Sequence, residues 1–248
     1  MIRLAHIVRH PIKSVGFEEL AGASLTKGRA LPFDREWAVT HEAAKFDRLT
    51  EWHPKMNFLR GVAGPELMAI SAQLDSATRR VTLRHPFAGA LTVAPDEEGP
   101  ALVDWLRPLW PAERPAPARV DHLPGQAMTD WPDPFVSVLG LASNRALGQV
   151  MGQDLSIHRW RGNLWLDGLA AWAEFDLIGR HLQIGDAVLE VRQRITRCKA
   201  TTVNPETGRS DADTLAALQQ HFGHEDFGTY AVVVQSGAVA LGDEVTVI

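Results

Sequence analysis

The stretch "RCKATTVNPETGRSD", residues 197–211, holds the chain's one cysteine, Cys198, set between Arg197 and Lys199 ahead of an Asn204-Pro205 turn. Thiolate is the form of cysteine that binds soft metals and attacks electrophiles, and nearby cations favour it. The plainer reading of a lone cysteine is a small, inert filler of a gap in a core. Side chains alternate along a strand, so Cys198 would share a face with Thr196, Arg194 and Arg192, with Ile195, Val191 and Leu189 on the other. That parity predicts a thiol on the polar face, with Arg194 beside it.

Three other stretches carry cations that could grip an anion. In "FDREWAVT", Arg35 has the parity of Phe33, Trp37 and Val39, one charge on an apolar face, which calls for a carboxylate or a bound anion. "HPIKSVG" puts Lys13 and Ser14 in a proline-turned loop, a pairing suited to phosphate. "HRWRGN" adds Arg159, Arg161 and Asn163, suited to an anion or to the edge of a heterocycle. Asp211 and Glu174 are candidate general acids by position alone, and carboxylates so placed are more often ordinary surface or structural ones. His221 and His224 in "HFGH" read as the solvated face of a helix ending at Gly223 before they read as metal ligands.

Short strands must position these groups. "IRLAHIVR", "REWAVT", "LMAISAQL", "RRVTLR" and "ALTVA" predict a β-rich domain over residues 1–95. Residues 96–130, with Pro108, Pro111, Pro115, Pro117 and Pro124, read as a Pro-rich connector with a short helix at its start. Residues 131–248 form the second domain. There "SNRALGQVMG" predicts a helix capped by Ser143 and ended by Gly152, "LSIHRW" a strand, 187–203 a long or bent strand, and "ADTLAALQQHFG" an amphipathic helix before the strand "TYAVVVQ". "IGDAVLEV" and "LGDEVTVI" predict two similar Gly-Asp turns, each launching an alternating strand of one barrel.

Composition bounds the function. The chain has 248 residues, 45% of them hydrophobic, enough for a sizeable core. A net charge of -5 and no dense basic block argue against nucleic acid. No apolar run reaches the roughly 20 residues of a membrane span, and the N-terminal apolar stretch is too short for a secretory signal. A single cysteine can form no internal disulfide and no paired-cysteine zinc site, which points to a cytoplasmic protein.

Taken in order, these motifs resemble the MOSC family with its N-terminal β-barrel partner domain, the group that includes the mitochondrial amidoxime-reducing component and its bacterial relatives. "HPIKSVG" and "FDREWAVT" are similar to that N-terminal domain. "RWRGNL", "AEFDLIGRHLQIGDAVLEV", "TRCKATTVNPETG" and "FGTYAVVVQSGAVALGDEV" are similar to the MOSC domain, with 197–208 the specific part. The resemblance implies a mainly β, α+β fold: an N-terminal β-barrel-like domain and a MOSC β-barrel domain with flanking helices. It further implies a molybdenum cofactor, a pterin whose dithiolene holds the metal, with Cys198 as molybdenum ligand and catalytic residue. Thr196 and Arg197 would flank the metal, and Lys13, Ser14 and Arg35 would hold the pterin and its phosphate. Arg161 with Asn163 matches a further pair of cofactor contacts, and Ser143 with Asn144, also assigned to the cofactor, sits near another. Gly162 stands where the family pattern has proline, "EFDL" follows Glu174, and Ile195 replaces a small or sulfur-bearing residue, departures that bear on the substrate side.

The activity so implied is a molybdenum-dependent reduction of N-hydroxylated or other N-oxygenated small molecules. With no cysteine-rich segment for an iron–sulfur cluster, the electrons would come from a separate donor protein, a reductase or small redox carrier. Two other classes fit the same residues: a molybdopterin-binding or sulfur-carrier module without reductase turnover, and a metal-free cysteine enzyme using His158 or His181 as base.

Overall fold

The strand-rich pattern becomes, in a computed structural model describing residues 1–248, one closed barrel with smaller sheets packed beside it. The N-terminal half supplies β1 (Ile2–Arg9), β2 (Glu18–Leu20), β3 (Gly22–Leu25), β4 (Trp37–His41), β5 (Ser71–Asp75), β6 (Arg80–His85), β7 (Gly89–Val93), α1 (Gly99–Leu106) and β8 (Pro117–His122). The C-terminal half supplies β9 (Val136–Gly140), α2 (Leu141–Met151), β10 (Leu164–Asp167), β11 (His181–Ile184), β12 (Ala187–Thr196), α3 (Thr214–Phe222), β13 (Asp226–Gln235), β14 (Gly237–Ala240) and β15 (Glu244–Val247).

Strands β10, β9, β13, β12, β11, β15 and β1 pair in that order, and β1 pairs again with β10, which closes the barrel and leaves no open edge within it. The closing strand is thus the first strand of the chain. A register shift between Leu4 and His6 bends it, and Leu4 and Ile7 both join Val138, Leu166, Leu189 and Val233 in the buried interior. The Gly185-Asp186 and Gly242-Asp243 turns launch β12 and β15, as the alternation predicts. A second core, around Ile12, Trp37, Leu67, Leu83 and Trp110, lies under β5–β6–β7, the β4–β8 pair and α1. A third, with Leu139, Trp160, Trp165, Leu218 and Phe227, packs on the barrel's outside.

The structure departs from the sequence reading at four places. The 96–130 segment is more than a connector: it contains α1 and β8, and β8 pairs with β4 from Trp37↔His122 onward. Pro117 is accommodated because it opens the strand, where its missing N–H costs little. "LSIHRW" forms a 3-10 turn over Ile157–Trp160, with the Ser156 hydroxyl accepting from the His158 amide at 3.3 Å. Helix α2 starts two residues before Ser143, which therefore lies inside it instead of capping it, while Gly152 does end it in the left-handed conformation. Strand β12 stops at Thr196, and register shifts against β13 break its alternation, so Arg192, Gln193 and Arg194 are all exposed. Cys198 heads a 3-10 turn, Lys199–Thr202, and strand parity does not reach it. No helix is long and apolar enough to cross a membrane.

Candidate functional site

The end of β12 and the turn after it face the loops of the N-terminal half across a cavity of about 210 Å³. Lys13, Ser14, Arg35, Arg161, Asn163, Thr196, Arg197 and Cys198 all line it, brought together from four separate stretches of sequence. Each is placed by its local chain.

Lys13 and Ser14 lie in a tight turn that the β-bridges of Ile12 with Val15 and Trp37 fasten to the N-terminal core. Ser14 takes a left-handed φ of 63°, and the Lys13 amide donates to the Trp37 carbonyl at 2.7 Å. Lys13 is buried, and its ammonium donates to Asp130 at 2.6 Å. Lys55 donates to the other oxygen of the same carboxylate at 3.0 Å. Burial works against the ionised Asp130, but the two ammonium groups outweigh it and bring the carboxyl down to about 2. Burial likewise holds the Lys13 amine below its usual value, against the pull of Asp130.

Arg35 meets a carboxylate, one of the two partners expected of it, but not through strand parity. It precedes β4, at a left-handed φ of 52°, so strand parity does not apply to it. Its partner is an internal carboxylate: one guanidinium nitrogen donates to the buried Asp34 and another to the Arg161 carbonyl at 2.9 Å. Asp34 also accepts from the His10 amide at 2.8 Å. Against the effect of its burial, Arg35 and His10 hold the Asp34 carboxyl well below the ordinary range.

Arg161 is also left-handed, at φ 48°, and donates to the Gly16 carbonyl at 3.2 Å. Its second terminal nitrogen is buried with no partner. Burial, and then the like charge of Arg35, pull its pKa down to about 9. The turn continues through Gly162, which sits in a closely packed corner where a Cβ would lie 2.2 Å from a Leu139 methyl. Asn163 is spent on the frame: its Oδ1 accepts from the Ser137 amide and hydroxyl at 3.1 and 2.9 Å, and its Nδ2 donates to the Val8 carbonyl at 3.1 Å.

Arg197 is an internal clamp. Its Nε donates to the Phe227 carbonyl and one Nη to the Trp160 carbonyl, both at 2.8 Å. Its guanidinium lies over the Trp160 and Phe227 rings, themselves stacked 3.8 Å apart. Burial lowers its pKa to about 10. Thr196 donates to Asp226 at 2.6 Å. Cys198 is exposed at the cavity wall, and its carbonyl, not its thiol, ties it down by accepting from the Thr201 amide and hydroxyl, both at 3.1 Å. Thr201 in turn meets Thr214 of α3 at 2.7 Å, and the Asn204 side chain accepts from the Glu206 amide at 2.8 Å. The threonine pair and the Asn-Pro turn thus present the thiol.

Ser143 and Asn144 do not reach the cavity. Ser143 donates to Glu174 at 2.7 Å, and Asn144 donates to the Leu155 carbonyl and accepts from the Trp160 indole, both at 2.7 Å. Asn144 thus braces α2 against the turn that carries Arg159 and Trp160, and Ser143 braces it against the turn at Trp172 and Glu174. Glu174 is fully buried at the start of α2, with its carboxyl raised by that burial, and Asp211 pairs with Arg159 at 2.6 Å, so neither candidate acid lines the cavity. No histidine lines it either: His158 stacks on Phe17, His181 lies on β11, His221 is exposed and His224 packs on Trp172 and Phe175. The metal-free cysteine reading therefore lacks its base. Lys55, Arg60, Asp130 and Tyr230 also line the cavity and were not legible as site residues. Tyr230, the chain's one tyrosine, stacks on Phe135 at 4.8 Å.

The model of the MOSC N-terminal beta barrel domain matches residues 1–103, and that of the MOSC domain matches residues 130–246. Together they take in most of the chain, which belongs to the MOSC family in its form with an N-terminal barrel domain. Among solved structures, the YUAD protein of Bacillus subtilis is 13% identical, with all of this chain and 96% of that one superposed at a TM-score of 0.50. YiiM from Geobacillus stearothermophilus is 17% identical and YiiM from Escherichia coli 19%, each over 46% of this chain and 53% of its own, with TM-scores of 0.35 and 0.34. The first likeness speaks to the fold alone. No curated protein sequence matches the chain.

Proposed function

We propose that the cavity binds a molybdenum–pterin cofactor and that the protein uses it to reduce N-hydroxylated or related N-oxygenated small molecules. The observation that carries this reading is the meeting, on one wall, of an exposed thiol with cations from both halves of the chain. The donor set fits such a group. Nowhere do three His, Cys, Asp or Glu side chains gather as a metal site, so a metal at Cys198 must bring most of its ligands with it, as a dithiolene does. The unpartnered buried nitrogen of Arg161 and the absence of any carboxylate in ion-pair range of Arg60, Arg161 and Arg197 suit an anionic group.

Cys198 would be the protein ligand to the metal, with the cations of Lys55 and Arg197 within electrostatic reach of it. Lys13, Ser14, Arg35 and Arg161 would hold the phosphate and the pterin edge. Arg197 fixes the backbone beside the thiol. Such a cofactor supplies two-electron oxygen-transfer chemistry. The net reaction consumes a hydroxylamine-type substrate, two electrons and two protons, and yields the amine and water. A separate protein would deliver the electrons.

The test is the molybdenum and pterin content of protein from a host shown to load another molybdoenzyme. About one of each per chain, with reductase turnover driven by an artificial electron donor, is the expected result. Both present without turnover would favour a carrier module, and neither present would overturn the reading.

A further inference from the structure

Asp130 is the one carboxylate on the cavity wall. Its two oxygens accept from Lys13 at 2.6 Å and Lys55 at 3.0 Å, and it makes no other side-chain hydrogen bond. Lys13 has 5% of its side chain exposed and no other ionic partner, so in the absence of Asp130 an ammonium would be buried without compensation. Asp130 itself is 42% exposed, and no backbone amide holds its carboxylate in place. A ligand phosphate entering the cavity would find ample donors and a single opposing charge.

Resting on the anion-binding reading above, we propose that Asp130 is an exchangeable internal counter-anion: it holds Lys13 and Lys55 while the cavity is free of ligand and yields both to an incoming phosphate. Exchange is favourable for a phosphate because it offers three strong acceptor oxygens and up to two charges against the single charge of Asp130. The same residue makes the cavity selective. A monoanion gains little by displacing a carboxylate, whereas a phosphate dianion or a diphosphate gains charge and hydrogen bonds together. A wall without Asp130 would bind anions more tightly and discriminate less among them.

Calorimetric titration of cofactor-free protein with inorganic pyrophosphate, for the wild type and Asp130→Asn, tests this. The variant should bind pyrophosphate about tenfold more tightly, the size expected for one unit charge removed a few Å away in a partly solvated site. It should also melt at lower temperature when free and gain more from saturating pyrophosphate than the wild type does. Equal or weaker affinity in Asp130→Asn, or no binding by either protein, would overturn the proposal. If the variant does not fold, carbon NMR of the Asp130 carboxylate in the wild type decides: released from Lys13 and Lys55, it should titrate closer to the ordinary carboxylate range with pyrophosphate bound, and an unmoved titration would refute the displacement. Molybdenum and pterin missing from protein made in a loading host would sink the cofactor reading without touching this result. An unchanged pyrophosphate affinity in the variant would do the reverse.

Discussion

Arg35, from the N-terminal half, donates to the main-chain carbonyl of Arg161 at 2.9 Å, at the turn where the barrel half presents its own cation to the cavity. The guanidinium of Arg35 is close enough to disfavour the charge on Arg161, yet only Arg35 has a carboxylate beside it. The site is therefore assembled by a hydrogen bond between halves and left with positive charge to spare. Removing Arg35 strips the buried Asp34 of its main counter-charge. Arg35→Ala should cost about 3 kcal/mol, typical for breaking a buried pair by deleting one partner. Arg35→Lys should recover part of that, because an ammonium cannot fork to Asp34 and Arg161 together. Urea denaturation measures both, and a loss under 1 kcal/mol in Arg35→Ala would mean that Asp34 does not depend on it.

Cys198 is held by its backbone while its thiol is free of packing duty. An exposed substitution of this kind usually changes stability by no more than about 0.5 kcal/mol. Cys198→Ala should therefore melt like the wild type while losing bound molybdenum and reductase turnover. A variant that retains the metal at the wild-type level would remove Cys198 from the ligand set.

His10 is fully buried, and desolvation, then the charges of Arg161 and Arg35, keep its imidazole well below the usual 6.5, against the opposing pull of Asp34. The unfolded chain takes up this proton near pH 6.5 and the folded chain does not, so stability must fall as pH drops below about 6.5. Asp130 acts lower on the scale: its carboxyl is depressed to about 2, so its contribution is complete above about pH 4 and is lost as pH falls through 2. Urea midpoints measured from pH 7 to 5 should decline, and less steeply in His10→Gln. His85 and His158, also lowered by burial, account for the slope that remains. An identical slope in the variant would show that His10 is protonated in the folded state.

The β-class of the fold was legible because alternation and Gly-Asp turns are local signals, as at Gly185 and Gly242. That β1 closes the barrel of the other half was not, since nothing in "IRLAHIVR" says which edges it will meet 160 and 240 residues away. Eight of the ten expected site residues do share one cavity. The parity arguments for Arg35 and Cys198 nevertheless failed, because both lie just outside strands: Arg35 in a left-handed turn and Cys198 beyond a bulged end. Ser143 and Asn144 sit on a helix near the resembling motif, and only the three-dimensional contacts show their side chains turned to Glu174 and Trp160. Asp130 and Lys55 lay in loops with no pattern to mark them, since a salt bridge across 75 residues leaves no periodic trace.

Tyr230 offers a direct view into the cavity because no other tyrosine absorbs with it. Its ring lines the wall, stacked on Phe135 in a strand position opposite Ser137. Burial raises the phenol above its ordinary value of 10, more than the positive charges of Arg197 and Arg35 lower it. A rapid-mixing titration followed at 295 nm should place the wild-type midpoint above pH 10, and Tyr230→Phe should abolish the signal. A midpoint at the ordinary value would place the hydroxyl in solvent and take Tyr230 off the buried wall of the cavity.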